Sequence, residues 1–318
     1  MGIRNTVDSN FQHFNAGELA AMSSSLVRHL ESGGKLFITL AGAMSTAGIG
    51  KLLAPLIRKG YVAGISCTGA NLEEDIFRLM AYPHYVTVEN WRALSLDDEE
   101  QLLGKKMNRV TDVCIPEHEA IRALETHLVQ IWETATERQL RQLPHLYFYD
   151  LLREELLLPS SEGDMDASWV LAAAQMGLPL FVPGWEDSTM GNIFAARSIE
   201  GKVDSDCVLS GIEYMKHLAT WYESQEQPLA FLQIGGGIAG DFPICVVPML
   251  NQDLDRNVPL WSWFGQISES RPSYGGYSGA PPSEKITWGK IDASTPMFVV
   301  ESDATIVAPL LFAYILNL

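Results

Sequence analysis

A carboxylate, an indole and a lysine lie close together near the end of the chain. Glu284, Trp288 and Lys290 belong to a segment that begins Ser278-Gly279-Ala280 and ends Trp288-Gly289-Lys290. A carboxylate and an indole face together hold an alkylammonium group, by ion pairing and cation–π contact. Partial desolvation favours the neutral amine of a lysine, which attacks a carbonyl carbon and forms an imine. The alternative is a surface lysine whose stem covers apolar neighbours while its ammonium stays in water.

Two turns of small residues follow apolar runs and could approach a phosphate group closely. Residues 42–48 lack the spacing of a dinucleotide fingerprint and of a P-loop, but small side chains leave the backbone N–H groups accessible. The second turn is Gly235-Gly236-Gly237, whose conformational entropy is costly unless something lies against that backbone. For each turn the alternatives are a nucleotide site and a plain connection.

A third segment, residues 68–75, follows another apolar run and opens a helix with Glu73, Glu74 and Asp75. Acids in a first helical turn are stabilised by the helix dipole and need no ligand. A carboxylate at the carboxyl end of a sheet can instead bind a ribose hydroxyl or an amine. Both interpretations stay open on the residues alone.

The elements that must position these segments alternate along the chain. Runs at 35–41, 62–67, 178–182, 229–234 and 297–300 are apolar without polar alternation, which predicts strands buried on both faces. Helical spacing at 16–31 precedes the first run, and helical spacing at 72–80 follows the second. The sequence therefore predicts the α/β class, with a mostly parallel sheet flanked by helices.

The middle of the chain differs in character. Residues 82–163 are charged and mainly helical by pattern, and the acidic run 97–100 is typical of a solvated helix face. We expect this segment to be a helical elaboration on a single domain that spans residues 1–318.

Composition excludes several classes of function. The 318 residues carry 39 acidic and 22 basic side chains, a formal charge of -17, which repels nucleic acid and anionic membranes and favours a cationic ligand. The apolar stretch 296–318 is interrupted by Glu301 and Asp303 and predicts a strand and a helix, not a membrane span. The four cysteines are far apart, no histidine has the spacing of a zinc site, and the first ten residues are polar. We expect reduced thiols, no metal and a cytoplasmic location.

The segment that ends in Trp288-Gly289-Lys290 closely resembles the active-site segment of deoxyhypusine synthases, in which this lysine carries a covalent aminobutyl imine. Further segments agree with the family in order, over roughly residues 11–311: Thr68-Gly69-Ala70 with its acids, Asn108-Arg109, Asp187 with Met190-Gly191, the triple glycine, and Asp303-Ala304. The resemblance implies a Rossmann-like sheet and a homotetramer with active sites at a dimer interface. It also implies that NAD oxidises spermidine and that an acceptor amine takes the aminobutyl group from the lysine.

By position, the resemblance makes Lys290 the imine-forming residue, with Glu284 and Trp288 beside it. The positions that it places around NAD are Met44, Thr46, Thr68, Gly69, Ala70, Glu74, Asp187, Gly235, Gly236, Gly237, Asp303 and Ala304.

Four positions depart from the eukaryotic and archaeal members of the family. Asp241 stands where they have the histidine that acts as catalytic base, and it could serve as base and countercharge or simply as a helix N-cap. Cys245 replaces an asparagine of the polyamine site. Asn192 and Tyr277 replace aspartates, which weakens a site for a triamine. These changes resemble the bacterial deoxyhypusine synthase-like branch, whose acceptor should differ because bacteria lack the initiation factor modified elsewhere.

Three functions follow as hypotheses. The first is an NAD-dependent aminobutyl transferase with a Lys290 imine, a polyamine donor and a small-amine acceptor such as putrescine, which would give homospermidine. The second is deoxyhypusine synthesis on a protein lysine. The third is an NAD-binding or polyamine-binding protein without turnover.

Overall fold

The computed structural model describes residues 2–157 and 161–318. Residue 1 and residues 158–160 lie outside the described residues. All of them belong to the predicted single domain, and residues 158–160 also belong to the predicted helical elaboration. The strands in chain order are β1 (Lys35–Leu40), β2 (Val62–Cys67), β3 (Val86–Thr87), β4 (Met107–Val110), β5 (Val113–Pro116), β6 (Leu180–Phe181), β7 (Leu229–Ile234), β8 (Trp263–Ile267) and β9 (Met297–Val300).

The helices surround these strands. In chain order they are α1 (Ile3–Asn10), α2 (Phe14–Glu31), α3 (Gly50–Arg58), α4 (Gly69–Ala81), α5 (Leu96–Gly104), α6 (Ala123–Glu137), α7 (Pro144–Arg153), α8 (Trp169–Met176), α9 (Thr189–Ile199), α10 (Gly211–Glu223), α11 (Ile238–Ile244), α12 (Val246–Pro248), α13 (Glu284–Thr287) and α14 (Ala304–Leu316).

The main sheet has six strands in the order β6-β2-β1-β7-β8-β9, and every neighbouring pair is parallel. All six side chains of β7 are buried, as are five of the six in β1, because helices cover both faces. Phe37, Phe231 and Phe264 lie opposite one another on adjacent strands, with ring centroids 5.8 and 5.9 Å apart. This aromatic ladder fixes the register of the central strands, since a slip of one residue would turn each ring to the other face.

The structure confirms the predicted α/β class with a mostly parallel sheet. The strands predicted at 62–67, 229–234 and 297–300 have the observed bounds, and the strand predicted at 178–182 is shorter, Leu180–Phe181. Residues 296–318 form β9 and α14 as expected. No helix of the described residues is long and apolar enough to cross a membrane.

Two features were not predicted. The middle segment is mainly helical but also contains a small antiparallel sheet in the order β3-β5-β4, whose strands of two to four residues are too short to give a recognisable pattern. The main sheet also contains β8, which includes Trp263 and a glycine. Trp261 and Trp263 are both fully buried: Trp261 packs against Phe231 of the aromatic ladder, and Trp263 packs against Phe298 on the other face of the sheet.

Candidate functional site

The carboxyl ends of the parallel strands carry the predicted site segments along one edge of the main sheet. Residues 42–48 follow β1, residues 68–70 follow β2, residues 235–237 follow β7, and residues 278–290 lie between β8 and β9. From β1 the chain goes on to β2 on one side, whereas β7 pairs with the other side of β1. Open α/β sheets bind their ligands at such a reversal of strand order.

Asn71 ties the first of these turns to the start of α4. Its side chain is fully buried, and its amide donates to the backbone oxygens of Leu40 and Gly42 at 3.1 and 2.8 Å and to the Thr68 hydroxyl at 2.9 Å. Its Oδ1 accepts the N–H of Ser45 at 2.9 Å. No role was assigned to Asn71 from the sequence, although an amide at the start of a helix after a strand was the available signal.

The three acids of α4 have different roles. Glu73 accepts the first two amides of α9 at 2.9 and 2.7 Å, and Asp75 accepts the Ser168 hydroxyl at 2.6 Å together with backbone amides of α8. Both are therefore buried caps of other helices, not acids held by the dipole of α4. Glu74 accepts the Thr46 hydroxyl at 2.7 Å, and burial raises the pKa of Glu74 to about 7 against the effect of that hydrogen bond. Of the three acids, Glu74 is the one that hydrogen-bonds to the turn at residues 42–48.

The triple glycine is explained in part by close packing of the protein itself. A Cβ on Gly235 would lie 2.8 Å from Ala41, and one on Gly236 would lie 2.2 Å from the Cβ of Ser278. A Cβ on Gly237 would meet no atom within 4 Å. Two of the glycines are thus required by contacts within the chain, and Gly237 leaves open space at the start of α11.

The other positions carried over for NAD also lie at this edge. Met44 is buried in the first turn, and Asp187 is exposed just before α9. Asp303 is the N-cap of α14, accepting the N–H and hydroxyl of Thr305 at 2.8 Å each, and Ala304 follows it. These residues share one edge of the sheet and belong to three different connections, β1–α3, β6–α9 and β9–α14.

A cavity of about 480 Å³ opens beside the C-terminal segment. Its charged, polar and aromatic lining consists of Asp241, Cys245, Tyr277, Glu284, Lys285, Trp288 and Lys290. We call this space the amine cavity. Asn192 is the one predicted substrate residue that does not line it: its amide donates to the backbone oxygens of Glu186 and Ser188 at 3.1 and 2.7 Å, at the start of α9.

Lys290 is 6% exposed, so the surface-lysine alternative is wrong. Its Nζ lies 5.4 Å from the ring centroid of Tyr277 and 5.7 Å from that of Trp288. Gly289 turns the chain into this position with a φ of +67°, and a Cβ there would lie 2.6 Å from Nε2 of Gln252. Glycine in the Trp-Gly-Lys triplet is therefore favoured by the left-handed backbone, and a larger residue would also have to displace the end of the Gln252 side chain.

Asp241 is exposed in the first turn of α11, whose N-cap is Gly237, so the N-cap alternative is wrong. Its Oδ1 lies 4.0 Å from the Sγ of Cys245, one turn later. Burial raises the pKa of the Cys245 thiol, and the Asp241 carboxylate raises it further while Lys290 opposes the change. A carboxylate, a thiol and an amine are thus neighbours on one wall of the amine cavity.

Lys285 is a cavity residue that the sequence analysis missed. It is 3% exposed, and its Nζ lies 4.6 Å from the ring centroid of Phe264 and 5.0 Å from that of Tyr277. Burial lowers the pKa of Lys285 to about 8, and the positive charge of Lys290 lowers it as well. The signal in the sequence was a second lysine five residues before Lys290, which the resemblance did not mark.

Metal chemistry has no visible site in this region. Across residues 2–157 and 161–318, no three or more His, Cys, Asp or Glu side chains are grouped so that they could hold a metal ion.

The family model of deoxyhypusine synthase matches residues 8–315. A "Deoxyhypusine synthase-like protein" of Nostoc punctiforme is 30% identical over 320 residues, covering 98% of this chain and 79% of that protein. A "Probable deoxyhypusine synthase 1" of Methanosarcina mazei is 28% identical over 300 residues, covering 94% of this chain and 85% of that protein. The crystal structure of a putative deoxyhypusine synthase from Entamoeba histolytica superposes with a TM-score of 0.58 at 11% identity, covering 99% of this chain and 92% of that one. The last comparison shows the fold alone.

Proposed function

Because the chain belongs to the deoxyhypusine synthase family, a family of transferases, we propose that it is an NAD-dependent aminobutyl transferase that acts on a polyamine through an imine at Lys290. The observation that carries this proposal is the buried Lys290 amine in a cavity that also presents two carboxylates and an exposed indole. A cavity with this lining can hold an alkylammonium chain beside a nucleophilic amine.

The residues of the amine cavity have separate roles in the donor step. Glu284 and Trp288 bind the ammonium end of the donor, and Asp241 accepts the proton released when the carbon next to the secondary amine is oxidised. The Lys290 amine then attacks the resulting C=N carbon. The C–N bond to the leaving diamine breaks, and a four-carbon amine remains joined to Lys290 as an imine.

We propose that the dinucleotide binds at the carboxyl ends of β1 and β7. Ala41 and Gly235 lie against each other there, while Gly42 and Gly237 both have positive φ and open space where a side chain would be. A dinucleotide could approach the backbone at these two glycines, with the Thr46–Glu74 pair beside the first turn. When bound, NAD supplies the acceptor for the hydride that leaves the donor.

We propose that the acceptor is a small amine, as in homospermidine synthesis, and that residues 1–318 act as one catalytic domain. Asp241 and Cys245 at the positions of the family's histidine and asparagine support an acceptor other than a protein lysine. By resemblance, the assembly is a homotetramer in the cytoplasm.

A screen of amines for NADH formation tests this function. Spermidine, homospermidine, putrescine and agmatine are each incubated with NAD and the protein, and absorbance at the NADH band is followed. We expect at least one polyamine to reduce NAD in the wild type, and Lys290→Ala to form no transfer product. Lys202→Met, an exposed lysine paired with Glu200 at 3.0 Å, is the matched control. NAD binding by calorimetry without hydride transfer from any of these amines would favour a binding protein without turnover.

A further inference from the structure

The acidic and the basic side chains that line the amine cavity are equal in number. Asp241 and Glu284 contribute two carboxylates, and Lys285 and Lys290 contribute two amines. A cavity built only for a polyamine, which carries several positive charges and no negative one, would be expected to have an excess of acids. Lys285 removes that excess.

The ammonium of Lys285 has no direct polar partner among the described residues, although Glu284 and Asp241 attract it from a distance. Within the described part of the chain, its Nζ has no hydrogen-bond partner and takes part in no ion pair, although the side chain is 97% buried. The faces of Phe264 and Tyr277 offset only part of the cost of burying a charge. With a pKa of about 8, Lys285 is mostly protonated at pH 7. An anionic group on a ligand would supply the missing partner.

A second unsatisfied polar group belongs to the same wall. Among the described residues, the hydroxyl of Tyr277 is buried and has no hydrogen-bond partner, and Tyr277 lines the amine cavity together with Lys285. A phenol and an ammonium can both donate hydrogen bonds, and a carboxylate can accept both.

We propose that the acceptor amine of this transferase carries a carboxylate, which Lys285 binds with the help of the Tyr277 hydroxyl. The inference rests on the proposed function and specifies its acceptor as an ω-amino carboxylate. The donor is not the source of the negative charge, because spermidine and putrescine have none. Lys285 is thus a specificity-determining residue for the second half of the reaction.

The acceptor step balances without a further reactant. The neutral amine of the amino carboxylate forms a bond to the imine carbon, and the bond from that carbon to the Lys290 nitrogen breaks, which returns Lys290 to the free amine. The hydride removed from the donor reduces the new C=N bond to a secondary amine. The carboxylate stays unchanged throughout.

The test compares two acceptors with the same four-carbon chain, 4-aminobutyrate and putrescine, in the full chain with NAD and spermidine. Mass spectrometry of the products gives kcat/KM for each. We expect 4-aminobutyrate to be preferred by about tenfold or more, the usual effect of one charge-assisted hydrogen bond. We expect Lys285→Met, which keeps the apolar stem, to remove that preference. Lys216→Met, on the exposed side of α10, keeps it.

Equal use of both acceptors by the wild type, a preference for putrescine, or an unchanged preference in Lys285→Met would each overturn the inference. If spermidine gives no Lys290 adduct, the proposed function fails independently of the carboxylate site. The carboxylate site is then tested by measuring the binding of 4-aminobutyrate by calorimetry. Binding of 4-aminobutyrate that Lys285→Met weakens about tenfold would support the site, and no binding would overturn it.

Discussion

Replacing Asn71 by alanine should destabilise the edge of the sheet where the dinucleotide is proposed to bind. The side chain is fully buried, and its two amide hydrogens and its Oδ1 bond three backbone groups of the turn that follows β1, at Leu40, Gly42 and Ser45. In Asn71→Ala the buried Ser45 N–H loses its partner, whereas the Leu40 and Gly42 carbonyls lose one bond each and keep a bond from Thr68.

The size of the effect follows from these bonds. Two amide hydrogens make two good bonds, the shorter being 2.8 Å to Gly42, and the 2.9 Å bond from Ser45 is the third. Each lost bond costs about 1 kcal/mol, and a buried group left unsatisfied costs more, so the free energy of unfolding should fall by about 3 kcal/mol.

Urea unfolding followed by circular dichroism measures this change. Asn10→Ala is the matched control, because its amide is exposed and donates a single 2.9 Å bond to the Thr6 carbonyl within α1. NAD affinity, measured by calorimetry, should weaken in Asn71→Ala and not in the control. A loss below about 1 kcal/mol for Asn71→Ala would refute the role assigned to this side chain.

Three further predictions concern single side chains. Burial raises the pKa of Glu74 from 4.5 to about 7, so the unfolded chain loses this proton at a lower pH than the folded chain does. The free energy of unfolding should therefore fall as pH rises between those values. Glu74→Gln should flatten that part of the pH profile measured by urea unfolding. Gly289→Ala should lower the free energy of unfolding by about 1–2 kcal/mol through backbone strain, and should lower kcat because it displaces the neighbouring lysine. Gly201 is the control, because it has a φ of +73° and a Cβ there would meet no atom within 4 Å. Gly201→Ala should show the loss in urea unfolding without the loss in steady-state rate. Trp288→Leu should raise the donor KM about two- to fivefold, the effect of an exposed cation–π contact, and a KM equal to that of the wild type would contradict this role.

The sequence predicted those parts of the fold that depend on local pattern. Residues 62–67 and 229–234 are continuous apolar runs, and such runs must be buried on both faces wherever they lie. The strand β8 was missed because its run includes Trp263 and a glycine and follows a polar, proline-containing segment. The short strands β3 and β5 depend on pairing with each other, which no local pattern encodes.

The candidate site was predictable where a residue type carries its own chemistry. Lys290, Glu284 and Trp288 were identified that way, and the structure places them around one cavity. Lys285 and Asn71 were not identified, since their importance comes from what surrounds them: the ring of Phe264 in β8 for Lys285, and backbone groups of the turn after β1 for Asn71. Burial of this kind is set by tertiary packing, which a single sequence does not show.

The imine at Lys290 is the central claim, and trapping it is the most direct measurement. The full chain is incubated with NAD and isotope-labelled spermidine, treated with borohydride, digested and analysed by mass spectrometry. The proposed function predicts a reduced aminobutyl adduct on the peptide that contains Lys290, absent without NAD and absent in Lys290→Ala. An unmodified Lys290 peptide after turnover with spermidine, homospermidine, putrescine and agmatine, or an adduct on Lys285 alone, would contradict it.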